Sequence, residues 1–340
     1  MLDSIKALCE LNAPSGGEAP VREYILSQIK DYAECKVDVL GNIIAFKKGK
    51  KPAKTKLMLC AHMDEVGFIV TGINDDGTLS FSAIGGVDKS VVAGRRVVFC
   101  NGMAGIFGMK PVHLCEGDES KTVPEFKDMY IDIGAQDKDA ARQRVKPGDT
   151  AVFDSDFKEF GDGLICAKAL DDRAGCAILI DLIKRDLPCD MHFAFTVMEE
   201  IGCKGAKPVT YSIDPQAALI IETTTAADTP LAAEKGRICE LKSGPAISFM
   251  DGGTVYDREY YCKAFGLAAE NNIPCQPKSG VVGGNDAGSV HVSREGVRTL
   301  AVNIPCRYLH SANCVAAKQD IWDCAELSWL LACEIAGEEA

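Results

Sequence analysis

Tryptophan is almost missing from this chain: two in 340 residues, both near the C-terminus. Aromatic platforms of the kind that line sugar clefts are therefore scarce. No apolar run approaches the length of about 20 residues that spans a bilayer. The segment Met1 to Glu10 carries acids and no continuous apolar core, so neither a signal peptide nor membrane embedding is expected, and the cytoplasm is. Basic residues are outnumbered, 37 Lys and Arg against 49 Asp and Glu, for a net charge of -12 that repels phosphate backbones. The densest basic stretch, Lys47-Lys48-Gly49-Lys50-Lys51, reads as a solvated hairpin tip. Nucleic acid is thus not an expected partner. Among sixteen cysteines there is no C-x-x-C pair, and most sit in apolar runs such as Leu57-Met58-Leu59-Cys60. Buried reduced thiols fit that pattern better than a disulfide framework or a zinc ribbon.

What is present is the composition of a folded globular chain, 47% hydrophobic and 25% charged. Its length favours a main domain plus a smaller one. Apolar residues at helical spacing (Leu2, Ile5, Leu8; Val21, Tyr24, Ile25, Ile29), interrupted by Asn12-Ala-Pro-Ser-Gly-Gly, predict two helices. Strands follow at 36–40, 43–46 and 56–61, the last apolar throughout, as a central strand should be. From 67 to 163 the texture changes to short β-rich runs punctuated by Gly and Asp, as in a barrel or sandwich. Helix and strand then alternate: helix 172–185, strands 191–198 and 217–221, helix 256–271, strand 297–302 and a closing helix 318–335. The simplest architecture is α/β, with residues 1–66 and 164–340 forming a discontinuous catalytic domain around an inserted domain at 67–163.

Five acid or imidazole sites fall near the ends of predicted strands, where open α/β sheets bind ligands. They are His62, Asp171, Glu200, Glu222 and His310. Asp64, two residues beyond His62 on an extended chain, is placed to accept the other ring N–H and fix the tautomer. Asp171-Asp172 also suits a helix N-terminus. In Met198-Glu199-Glu200, adjacent carboxylates at a buried strand end repel each other and lose hydration. That is tolerable if one binds a cation and the other holds a proton. Neighbouring side chains diverge on an extended chain, so Glu200 is assigned to metal and Glu199 to water. Two imidazoles with three carboxylates and no thiolate suit zinc, cobalt or manganese in an open catalytic site.

The set His62-x-Asp64, Asp171-Asp172-Arg173-x-Gly175, Glu199-Glu200-x-Gly202, Glu222 and Tyr308-Leu309-His310-Ser311, in that order, resembles the M42 family of metallo-aminopeptidases. Pro14-Ser15-Gly16, Asp228-Thr229-Pro230 and Gly283-Gly284-Asn285-Asp286-Ala287 resemble further family landmarks, so the likeness covers nearly the whole chain. The resemblance implies a phosphorylase/hydrolase-like catalytic domain, an inserted PDZ-like β-barrel used for dimerisation, and dodecameric tetrahedral particles. Two divalent metal ions per subunit are implied, with Asp171 shared between them. His62 and Glu222 would complete one site, Glu200 and His310 the other. Glu199 would be the base that activates the water between the metals, Asp64 would orient His62, and short peptides would be cut at the N-terminus. A cis peptide at Asp171-Asp172 is implied as well.

This chain departs from the commoner family pattern in having Glu222 for Asp and Cys314 for an acid, which leaves Asp228 as a rival to Glu222. The competing functions are a glycoside hydrolase using Glu199 with a second carboxylate, and an inactive particle-forming scaffold. A glycosidase has no need of His62 or His310.

Overall fold

The computed structural model describes residues 1–117, 121–230, 232 and 236–338. Its first part holds helices α1 (Leu2–Glu10) and α2 (Ala19–Ile29), then strands β1 (Glu34–Val37), β2 (Ile43–Lys47) and β3 (Leu57–His62). Six strands follow: β4 (Gly67–Ile73), β5 (Leu79–Ile84), β6 (Arg96–Phe99), β7 (Ala104–Met109), β8 (Met129–Asp132) and β9 (Thr150–Phe153), with the short helix α3 (Lys138–Arg142) before the last. These close into a barrel in the order β4-β5-β8-β7-β6-β9. Its core is separate from that of the main domain and aromatic: Phe68 meets Phe107 at 4.6 Å between ring centroids and Phe153 at 5.2 Å, both edge to face.

The rest of the chain supplies β10 (Lys158–Phe160), β11 (Leu164–Ala167), α4 (Leu170–Lys184), β12 (Met191–Thr196), α5 (Ala206–Ile213) and β13 (Ala217–Thr225). After them come β14 (Ala246–Ile247), α6 (Arg258–Glu270), β15 (Gln276–Pro277), α7 (Ala287–Val290), β16 (Arg298–Arg307), β17 (Cys314–Ala317) and α8 (Lys318–Gly337). The main sheet runs β1-β2-β12-β3-β13-β16-β17-β11-β10, with β12, β3, β13 and β16 parallel and the flanking strands antiparallel. Every residue of β3 is buried, as expected where helices cover a parallel sheet. Helix α4 packs on β3 and β13, and α8 on β16. The fold is therefore α/β with an inserted β-barrel. Residues 158–160, counted with the insertion in the sequence reading, pair with β11 in the main sheet.

Two local expectations change. The Lys47 to Lys51 stretch is no hairpin tip, because β2 pairs with β12 and β3 lies on the other side of β12. The stretch crosses over β12 instead: Lys47 Nζ donates to the carbonyl of Arg185 at 2.7 Å, and the Gly49 N–H to Asp190 at 2.8 Å. A Cβ at residue 49 would lie 2.2 Å from the Cys189 carbonyl carbon, so only glycine allows that approach. Secondly, β13 and β16 run past their predicted ends at 221 and 302, paired with each other from Ala217↔Arg298 to Thr225↔Cys306. Glu222 therefore stands inside a strand rather than beyond one.

Candidate active site

The ladder between β3 and β13 stops at Cys60↔Ile220, two residues short of His62 and Glu222. The sheet opens there, and the other candidates arrive from neighbouring connections. Asp171 comes from the β11–α4 junction, Glu199 and Glu200 from the loop after β12, and His310 from the loop between β16 and β17. Non-glycine residues in left-handed conformation mark these bends: Ala169, Met198, Tyr308 and His310 have φ between 54° and 59°. Such backbone is costly and tends to persist where surrounding structure over-determines it.

Asp171 is the centre of the arrangement. Its Oδ1 is 3.2 Å from His62 Nε2 and its Oδ2 is 3.3 Å from His310 Nε2. His62 Nε2 is also 3.5 Å from Glu222 Oε1, and His310 Nε2 is 3.2 Å from Glu200 Oε2. All five proposed ligands therefore converge. The peptide between Asp171 and Asp172 is cis, as the resemblance implied. Asp172 is fully buried; it accepts the His62 N–H at 3.3 Å and the Gly175 N–H at 3.0 Å. A Cβ at residue 175 would sit 2.4 Å from that carboxylate, which explains the glycine of the motif.

Asp64 serves four neighbours. Its Oδ1 faces His62 Nδ1 at 3.4 Å, long for a hydrogen bond, and accepts the Glu199 N–H at 3.0 Å. Its Oδ2 accepts the Glu200 N–H at 3.1 Å and the Ser15 hydroxyl at 2.6 Å. On the far side of the other imidazole, His310 Nδ1 is 2.8 Å from the carbonyl of Gly86, at the barrel's edge.

The electrostatics describe a place built for positive charge. Burial pushes the carboxyls of Glu200 and Glu222 well above their ordinary range, and the charge of Asp171 adds to it. Burial likewise holds Glu199 up, to about 7. Burial opposes charge on His310, yet Asp171 and Glu200 outweigh it and raise that imidazole to about 10. Burial works in the same way against Asp171, which the hydrogen bonds with His310 and His62 hold well below the usual carboxylate range. Acids this crowded and this buried need cations among them. Carboxylates and imidazoles are donors that divalent metal ions accept, so the residues fit metal binding.

Asp228 is elsewhere. Both of its oxygens are taken by Arg307, at 2.5 and 2.8 Å, and it accepts the Leu241 N–H as well. Cys314 is buried and donates its thiol to the Ser311 carbonyl at 3.7 Å. Sequence reasoning gave no role to Arg173, which is buried and bonds the Leu8 carbonyl at 2.6 Å and Glu65 at 3.2 Å, next to a Lys168–Glu65 pair at 2.7 Å. This cluster ties the N-terminal helices to the floor of the site. Asp286 and Cys203, close to Glu199, were also missed as neighbours of the site. The Gly-Gly-Asn-Asp-Ala landmark was the available signal for the former; nothing in the sequence signalled the latter.

With this geometry in hand, the comparisons with known proteins are specific. The family described as M42 glutamyl aminopeptidase matches residues 41–327. A protein of Acetivibrio thermocellus, provisionally named an aminopeptidase, is 40% identical over 332 residues, covering 96% of this chain and 97% of the relative. Aminopeptidase APDkam598 from the archaeon Desulfurococcus kamchatkensis superposes with a TM-score of 0.92 at 34% identity, covering 99% of this chain and 94% of the other. The TET1 peptidase of Pyrococcus horikoshii, which assembles into a tetrahedron or a large octahedral shell, gives 0.84 at 34% identity and 99% coverage of both chains. The chain with its converging acids and imidazoles thus belongs to the M42 family of aminopeptidases, and it is a peptide hydrolase.

Proposed function

We propose that this aminopeptidase removes N-terminal residues from short peptides with two divalent metal ions, zinc, cobalt or manganese. Asp171 would be common to both ions, His62 and Glu222 would hold one, and Glu200 and His310 the other. The observation that carries this reading is the division of the Asp171 carboxylate, one oxygen toward His62 and the other toward His310. Aminopeptidases of this family are metal-dependent. When bound, such ions supply Lewis-acid polarisation of the scissile carbonyl and make water acidic enough to attack at neutral pH.

The chain's own groups do the rest. Glu199, partly open to solvent and tuned near neutrality by burial, takes the proton of the attacking water and returns it to the leaving amine. Asp64 holds His62 from behind and fixes the backbone from which both glutamates project. The free α-amine of the substrate meets the surplus of carboxylates, which accounts for exopeptidase action. Two imidazoles set among these acids serve cations rather than a sugar bond, which disfavours the glycosidase reading. Convergence of five ligand-type side chains favours an active enzyme over a scaffold that has lost its site.

The relatives' particles support homo-oligomerisation, and we assign the barrel to dimer contacts within a dodecamer. Residues 1–66 and 164–340, with β10 of the main sheet, are taken as the catalytic domain, and the barrel within 67–163 as the dimerisation domain. Among the described residues no helix is long and apolar enough to cross a membrane, in line with a cytoplasmic enzyme. The test is a panel of aminoacyl-anilides assayed with each metal, together with elemental counting. Two metals per subunit and chelator-sensitive turnover are expected. Hydrolysis that survives complete removal of metal would overturn the reading.

A further inference from the structure

Glu199 is shared between two neighbourhoods. Its Oε2 is 4.0 Å from His62 Nε2, on the side of the proposed metal pair. Its Oε1 accepts the Cys203 thiol at 3.4 Å, on the other side. The turn that brings Cys203 back over Glu199 is tight: the N–H groups of Gly202 and Cys203 both reach the Glu199 carbonyl at 2.8 Å, and Cys203 is left-handed, with φ 55°. Ser289 of α7 donates to the Cys203 carbonyl at 3.2 Å, which fastens the turn to the segment carrying Asp286.

Asp286 is buried, with one oxygen accepting the Thr196 hydroxyl at 2.5 Å. Its Oδ1 has no hydrogen-bond partner among the described residues. An orphaned buried carboxylate oxygen is costly and calls for a partner. Potential ligand atoms of Glu199, Cys203 and Asp286 all lie within 4.8 Å of one another. Zinc binds sulfur at about 2.3 Å and oxygen at about 2.0 Å, so a tetrahedral angle separates the two ligands by about 3.5 Å. The observed 3.4 Å between Cys203 Sγ and Glu199 Oε1 already has that spacing.

We propose that Glu199, Cys203 and Asp286 form a third cation site, selective for zinc and other thiophilic divalent ions, whose filling inhibits the peptidase. The inhibition rests on the reading of Glu199 as the catalytic base. On binding, the Cys203 thiol gives its proton to solvent, and its sulfur and one oxygen from each carboxylate bond the ion, water taking the remaining position. Glu199 then has its Oε1 committed to an ion and is held away from proton transfer. The thiolate sets the selectivity, because manganese and magnesium prefer oxygen donors. Cys203 and Glu199 are only partly buried, so an ion can enter from solvent.

The test uses the full-length enzyme loaded with manganese in its proposed metal pair. Zinc and cadmium are titrated in, and both the aminopeptidase rate and the ultraviolet thiolate-to-cadmium absorption are followed. Inhibition and a cadmium band are expected together for the native chain. Cys203→Ala should lose that band and, with each protein measured against its own zinc-free rate, require at least about tenfold more zinc for the same fractional inhibition. The difference spectrum between the two proteins cancels the exposed Cys100 and Cys262. Inhibition by displacement of the resident ions would ignore Cys203, so equal zinc sensitivity and equal cadmium absorption in Cys203→Ala overturn the proposal. A Cys203-dependent band with an undiminished rate would instead leave the ion site standing and overturn Glu199 as the base.

Discussion

Asp64 accepts the Glu199 N–H at 3.0 Å with the same oxygen that faces His62 Nδ1 at 3.4 Å, so one buried carboxylate supports both a proposed metal ligand and the proposed base. Removing it should damage two functions at once. Asp64→Ala is expected to weaken metal binding by about 10- to 100-fold and to lower turnover further once metal is restored by excess. Metal affinity from chelator competition, set beside kcat at saturating metal, checks this. Native kcat in the fully loaded variant would show that Asp64 supports His62 alone.

Glu199→Gln removes the proton acceptor without removing a proposed ligand. Both metals should stay bound while turnover falls by about 10²- to 10⁴-fold. Elemental analysis and single-turnover rates on the same preparation test it, and near-native turnover in loaded protein would remove Glu199 from the chemistry.

The rivalry between Glu222 and Asp228 has a geometric answer to check. Glu222 lies 3.5 Å from His62, whereas Asp228 is bound by Arg307. Glu222→Ala should empty or weaken one metal site and spare the other, and Glu222→Asp should bind again, but less well, being one methylene short. Asp228→Ala should leave the metal count unchanged. Full occupancy in Glu222→Ala, or a lost metal in Asp228→Ala, would reverse the assignment.

The barrel has its own core and enters and leaves the main domain through β3 and β10. Replacing residues 67–153 by a short linker should yield particles smaller than the intact assembly, which is expected to hold twelve subunits. Light scattering decides it, and a monomeric intact protein at micromolar concentration would count against the assigned role.

His192, on β12 away from the site, is a test of acid stability. Burial, helped by the charge of Lys56, lowers its pKa from 6.5 to about 4, and its Nδ1 has no hydrogen-bond partner among the described residues. Between those two pH values the unfolded chain binds the extra proton, so stability present above 6.5 is lost as pH falls toward 4. In His192→Gln the drop in urea midpoint between pH 7 and pH 5 should shrink. An unchanged drop would place the acid sensitivity elsewhere.

Several features of this protein are decided in the sequence. The all-apolar run before His62 matches the central strand it forms, because a strand covered on both faces buries every side chain. Short β runs punctuated by Gly and Asp marked the barrel, and the residue types at His62, Asp171, Glu200 and His310 limited the chemistry to hard and borderline ligands. Tertiary structure decided the rest. Which strands are neighbours is a long-range matter, so the basic stretch after β2 became a crossover over β12 instead of a hairpin tip. The extensions of β13 and β16 depend on their pairing with each other, which local apolarity ending at Ile221 and Val302 does not report. Asp228 and Glu222 are both acids near one strand, and only the position of Arg307 takes one of them away. Cys203 looked like one more of sixteen thiols until a left-handed turn laid it against Glu199, because side-chain proximity across a bend depends on backbone angles that residue types alone do not set.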